Sequence, residues 1–196
     1  LYEHQSSLNP NMPVRGLIYF ARNYESYIAV NRLNIYGTVL QKLPLPQYII
    51  FYNGTGNEPE QVTLKLSDAF PEIDGKVPCL ECTATMLNIN YGHNRELMEK
   101  CRRLEEYAIF VETVRIYAKA EAVRLQDAIT WAIDDCIEKG ILVDILTEQR
   151  NEVLSMILST FDKEVYEKDL KEEAYDEGYN KRFRDLVEKK IAKGKT

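Results

Sequence analysis

Leu1-Tyr2-Glu3-His4-Gln5-Ser6-Ser7 opens the chain, and its reading sets the layout of everything after it. The segment reads as a short strand. Side chains on a strand alternate between its two faces, so Glu3 and Gln5 point to one side while Tyr2, His4 and Ser6 point to the other. A carboxylate and a carboxamide side by side suit a divalent cation next to a phosphate. Asn9-Pro10-Asn11 then turns the chain, and Pro13 falls in the first turn of a helix predicted over Met12–Val30. Leu17, Phe20, Ala21, Tyr24 and Ile28 recur at three- and four-residue spacings and predict its buried side, with Arg15, Arg22 and Glu25 elsewhere on the cylinder.

Working outward, residues 31–45 carry no clear period, and Gly37 with the Pro44/Pro46 pair breaks the pattern. Gln47–Tyr52 is a compact apolar run ended by Asn53-Gly54, the mark of a central strand buried on both faces. Val62–Leu66 alternates as a half-exposed strand, Asp68–Pro78 is loop-like, and Cys79–Ile89 alternates again as a strand. These features predict an α/β fold with a mixed sheet covered by helices on both faces, followed by an all-helical C-terminal region. Helices are expected over Arg95–Ala118, with Leu97, Leu104, Ala108, Val111, Val114 and Tyr117 as its stripe, over Glu121–Lys139, stopped by Gly140, and over Ile141–Phe161. Beyond Asp162 the sequence is charged and lacks a core-facing side, as in a solvated helix that frays or a self-association arm.

At 196 residues and 45% hydrophobic content the chain supports one ordinary domain plus an appendage. No stretch approaches the roughly 18 uninterrupted apolar residues that span a bilayer, and the opening residues do not form a signal peptide. A cytoplasmic protein without membrane contact is expected. The chain opens on Leu, not Met, and is read as the remainder of a longer protein. The net charge of −6 is uneven: residues 1–120 hold 12 basic and 13 acidic groups, residues 121–196 hold 13 and 18. The first part is thus near neutral, which leaves room for a local basic patch that meets nucleic acid. Of four cysteines, Cys79 and Cys82 form a C-x-x-C. Inside a strand their thiols would diverge, so reduced and mostly buried cysteines are expected in place of a zinc site.

Glu3-His4-Gln5-Ser6-Ser7 with Met12, Arg15 and Tyr19, then Pro44-Leu45-Pro46-Gln47-Tyr48-Ile49-Ile50-Phe51-Tyr52-Asn53-Gly54, then Leu80-Glu81-Cys82-Thr83-Ala84-Thr85-Met86-Leu87-Asn88-Ile89-Asn90-Tyr91-Gly92, resemble the second half of the PD-(D/E)xK nuclease core. The branch they resemble is the Rpn-type recombination-promoting nuclease and transposase family. The likeness runs over most of residues 1–165. It implies a mixed sheet of the PD-(D/E)xK core type. Residues 1–118 would be the C-terminal portion of that core, 119–161 a helical region and 162–196 a charged helical or frayed tail.

The resemblance also implies a Mg²⁺- or Mn²⁺-dependent DNA endonuclease. Carried over by position, Glu3 is the metal ligand, the main-chain carbonyl of His4 a second oxygen, and Gln5 stands where the wider superfamily has Lys, as in this branch. A glutamine amide donates hydrogen bonds but brings no positive charge, so nearby Arg must supply it, and Arg15 is the nearest candidate. The superfamily's upstream Asp has no counterpart, which leaves the metal incompletely liganded and this chain with little cleavage of its own. Arg95, Lys100, Arg102 and Arg103 cluster at a helix start and are candidate phosphate contacts. The C-terminal helices are a candidate surface for homo-oligomers. The competing reading is a non-catalytic, nuclease-like scaffold that mediates protein interaction or self-assembly through its helical tail, with Glu3 simply a salt-bridged strand residue.

Overall fold

The computed structural model describes residues 1–71, 73–119 and 123–161. The expectations for residues 162–196, the tail and its self-association, lie outside the described residues. Four strands form one mixed sheet: β1 (Tyr2–Gln5), β2 (Ile49–Tyr52), β3 (Gln61–Lys65) and β4 (Thr83–Asn88), in the order β1-β2-β4-β3. β1 runs parallel to β2 with Glu3 opposite Ile50, β2 runs parallel to β4 with Ile50 opposite Met86, and β3 closes the far edge antiparallel to β4.

Helix α1 (Met12–Val30) makes the crossover between β1 and β2. Its bounds are those expected: the Asn9 side chain accepts from the Asn11 amide at 2.9 Å and Pro13 sits in the first turn. Its buried side differs from expectation. Met12, Pro13 and Gly16 are buried, Leu17, Phe20, Tyr24 and Ile28 only partly so, and Ala21 is exposed. The first half of the helix rests on the sheet, and Gly16 allows the close approach: a Cβ there would stand 2.5 Å from the Tyr48 ring. Met12, Tyr48, Ile50, Tyr52, Ala84 and Met86 form the core on this face.

Helices pack against part of the other face. The single helix expected over Arg95–Ala118 is broken at Cys101 into α2 (Arg95–Lys100) and α3 (Arg102–Ala118), the Cys101 backbone leaving helical angles at φ −135°, ψ 81°. Phe51, Ile89, Met98, Leu104, Tyr107 and Ala108 pack there. α3 also turns Phe110 and Val114 toward α4 (Leu125–Glu138), where Ile129, Ala132 and Ile133 are fully buried. It is therefore apolar on two sides, a width that a single stripe does not capture. The described part of the helix expected from Glu121 begins at Leu125, and it ends as expected. Gly140 has φ +76°, its amide reaches Ile137 O and the Ile141 amide reaches Cys136 O, the paired hydrogen bonds of a glycine helix stop. The expected helix over Ile141–Phe161 is divided into α5 (Val143–Glu148) and a stretch over residues 150–161.

Three smaller expectations are corrected. β2 is central but fully buried on one face only, Ile50 and Tyr52 pointing to it, while Ile49 and Phe51 on the other are half-covered. Cys79 and Cys82 precede β4, which starts at Thr83, so the strand argument against their convergence does not apply. Only Cys136 is buried, and Cys79 and Cys101 are exposed. Among the described residues no helix is long and apolar enough to cross a membrane.

Candidate functional site

β1 lies at the edge of the sheet with Glu3 and Gln5 on the side that α1 covers, and their side chains meet: Gln5 Nε2 donates to Glu3 Oε2 at 3.3 Å. Arg15, on the first turns of α1, donates from Nη2 to the same oxygen at 2.8 Å. Tyr48, just ahead of β2, donates its hydroxyl to Glu3 Oε1 at 2.6 Å. The Glu3 side chain keeps 14% exposure. It is neither walled into an apolar interior nor splayed away from Gln5. A cleft of about 420 Å³, lined by Glu3, Tyr19, Arg22 and Asn23 among others, opens beside it.

The electrostatics follow from these contacts. Burial, reinforced by the bond to Glu3, pushes the Tyr48 hydroxyl well above its ordinary value, so it stays protonated as a donor. Arg15 is held above its usual value chiefly by Tyr19, with the Glu3 charge adding to it. The Arg15 charge named from sequence therefore does stand at the candidate carboxylate. Tyr48 and Arg22 were not among the candidates. Arg22 was legible, since Arg15, Tyr19 and Arg22 follow one another at helical spacing, whereas Tyr48 lies 45 residues from its partner and carries no local signal.

His4 faces the opposite side, as expected, and meets Tyr107 of α3: its Nε2 lies 3.2 Å from the hydroxyl. Asn53 Nδ2 donates to that hydroxyl at 3.1 Å. Burial and the Arg115 charge hold the His4 imidazole below its ordinary value of 6.5. A histidine kept neutral in the folded state contributes stability that is present above that value and is lost as pH falls through the lowered one. The melting temperature of wild type should thus fall more steeply than that of His4→Gln as pH drops below about 6.5. Parallel curves would contradict the placement of the His4 imidazole near the Arg115 charge.

The main-chain carbonyl of His4 points in a different direction from its side chain. Leu1 O and Gln5 O accept from the Ile49 and Asn53 amides of the β2 side. By the alternation of a parallel ladder the His4 carbonyl turns the other way, to the outer edge of the sheet. Mg²⁺ takes about six oxygens. Glu3 and this carbonyl are two, and among the described residues no three His, Cys, Asp or Glu side chains gather as a metal group. On its own, this donor set does not fit a resident Mg²⁺ or Mn²⁺.

The basic cluster divides at the α2–α3 break. Arg95 pairs with Glu99, Lys100 with Glu96, Arg102 with Glu106, and Arg103 with Glu106 and Asp144. Glu106, buried and also reached by the Leu142 amide at 3.3 Å, ties α3 to the turn before α5. These cations are thus matched by carboxylates, not brought to Glu3. Comparison with protein-family models, with curated proteins and with solved structures found no match.

Proposed function

We propose that residues 1–118 form the C-terminal portion of a PD-(D/E)xK-type core and that the chain acts in metal-dependent DNA cleavage of the recombination or transposase kind. The observation that carries this reading is the Glu3–Gln5 pair, in contact at 3.3 Å on an edge strand. The neighbouring His4 carbonyl faces the open edge. A strand added to that edge would lay its alternate side chains beside Glu3 on the same face. That is where a second carboxylate belongs if the cation site is to be completed. In this reading Glu3 holds the cation's side of the site, Gln5 donates to a phosphoryl oxygen, and Arg15 offsets charge on the scissile phosphate. Arg95, Lys100, Arg102 and Arg103 would contact phosphates farther along the duplex by exchanging their intramolecular carboxylates. Homo-oligomers through the C-terminal helices remain part of the proposal.

A specific observation favours the alternative of a non-catalytic scaffold: Tyr48, Arg15 and Gln5 already engage both oxygens of Glu3, as in a structural ion pair. Plasmid nicking separates the two. The product of the complete reading frame is expected to cleave with Mg²⁺ or Mn²⁺, residues 1–196 alone to cleave little, and Glu3→Ala or Gln5→Ala to lower the rate by about 100-fold or more with the fold retained. Undiminished cleavage in the Glu3→Ala/Gln5→Ala double variant, or none from the complete product, would leave the scaffold.

A further inference from the structure

The loop from α1 to β2, residues 31–48, forms neither helix nor strand. Loops longer than about 15 residues without secondary structure are uncommon in compact domains, and an ordered one usually serves a function. This one is fixed at both ends. The Asn31 and Leu33 amides donate to the Tyr27 and Ile28 carbonyls at the end of α1, each at 3.0 Å. Farther on, the Tyr24 hydroxyl donates to the Pro44 carbonyl at 2.8 Å, which lays the returning chain on the same helix. Between these anchors the Gly37 amide reaches Asn34 O at 3.3 Å and makes a turn.

Its apolar side chains are nevertheless turned outward. Tyr36, Val39, Leu40 and Leu45 are 72–95% exposed, and Ile35 and Leu43 are about half exposed. At the ordinary size of these residues they present on the order of 800 Å² to solvent, where the largest apolar patch of a typical monomer is roughly 300–600 Å². One side of a stable protein interface contributes about 800 Å². Charge is sparse: Arg32 and Lys42 are the only charged residues between Glu25 and Glu58. An aromatic and aliphatic centre depleted of charge is the composition of an interface core. Among the described residues Arg32, Lys42 and Glu25 make no ion pair. The loop thus brings two unmatched cations, and the helix beneath it an unmatched carboxylate, so the surface is complementary to a copy of itself.

We infer that this loop is the interface of a two-fold symmetric homodimer, each apolar face covered by the same loop of a second copy. In such a contact one patch meets itself. The Leu40 side chains are then buried, and the cations of each loop face Glu25 of the other copy. The inference does not rest on the nuclease reading of Glu3, and the interface is separate from any contact through the C-terminal helices. Sedimentation equilibrium of the full chain from about 1 to 100 μM tests it. Wild type should be dimeric over most of that range. Leu40→Glu and Val39→Glu, at positions too exposed for the fold of one copy to need them, should each raise the dimer dissociation constant by about 100-fold or more with an unchanged circular dichroism spectrum. Met156 is an exposed apolar residue in the stretch over residues 150–161, and Met156→Glu should leave the constant within about threefold of wild type. A monomer at every concentration, the outcome if a different protein covers the loop, would overturn the inference. A dimer that Met156→Glu dissociates and Leu40→Glu does not would overturn it as well.

Discussion

Gly54→Ala is expected to lower folding stability by about 3 kcal/mol or more. The added methyl would stand 1.7 Å from the Ser6 carbonyl oxygen and 2.7 Å from its carbon and from the Tyr52 hydroxyl. The first two obstacles are main chain and cannot rotate aside. Relief requires the loop after β2 to part from the end of β1, where the Asn53 amide donates to Gln5 O at 3.1 Å. Gly75→Ala is the control. Gly75 has a positive φ of 72° but nothing within 4 Å of its added methyl, so only backbone strain of about 1 kcal/mol is expected. Guanidinium unfolding at equilibrium gives both values. A Gly54→Ala loss no larger than that of Gly75→Ala would show that the loop does not lie on Ser6 as described.

Gly16→Ala is the second large effect, and its sign opposes helix propensity. Alanine in a helix interior is favoured over glycine by about 1 kcal/mol, yet here a net loss of about 2 kcal/mol is expected. The new methyl would meet Tyr48 Cδ1 and Cε1, each at 2.5 Å. The Tyr48 ring is 3% exposed and packed edge-on against Phe20 at 6.1 Å between centroids, so it yields only by moving its hydroxyl off Glu3. Background variants separate the causes. In Tyr48→Phe the clash persists and Gly16→Ala should still destabilise. In Tyr48→Ala the space is vacated and the same change should become neutral or stabilising, a coupling that a double-mutant cycle reads directly. A stabilising Gly16→Ala in the wild-type background would contradict the packing of α1 on the sheet.

These two glycines also mark what the sequence could and could not disclose. The span of α1 was legible because Asn9-Pro10-Asn11 and Pro13 are local punctuation whose chemistry acts over a turn or two. Its buried face was not, since counting apolar side chains passes over Gly16, whose contribution is the absence of one. The break at Cys101 carries neither Pro nor Gly, so no local breaker marks it in the sequence. Glu106 reads as a surface helix residue until the turn at Leu142 is brought to it from 36 positions away. At the candidate site, the common facing of Glu3 and Gln5 follows from strand alternation alone. The choice of Arg15 needed only the turn between β1 and α1. The place of Tyr48 depends on the pairing of β1 with β2, and no window of sequence contains that pairing.

The edge position of β1 bears on how often the Glu3 cluster is whole. Within the sheet that strand is held by a single ladder of four residue pairs to β2, whereas β2 is flanked on both sides. Segments open locally with free energies below that of global unfolding where fewer contacts hold them. Each such excursion of β1 would take Glu3 and Gln5 away from Arg15 and Tyr48 together, while the helical half stays folded. The fraction of molecules with the Glu3 cluster assembled is therefore set by the docking equilibrium of one short strand, and anything that grips its outer edge raises that fraction by mass action.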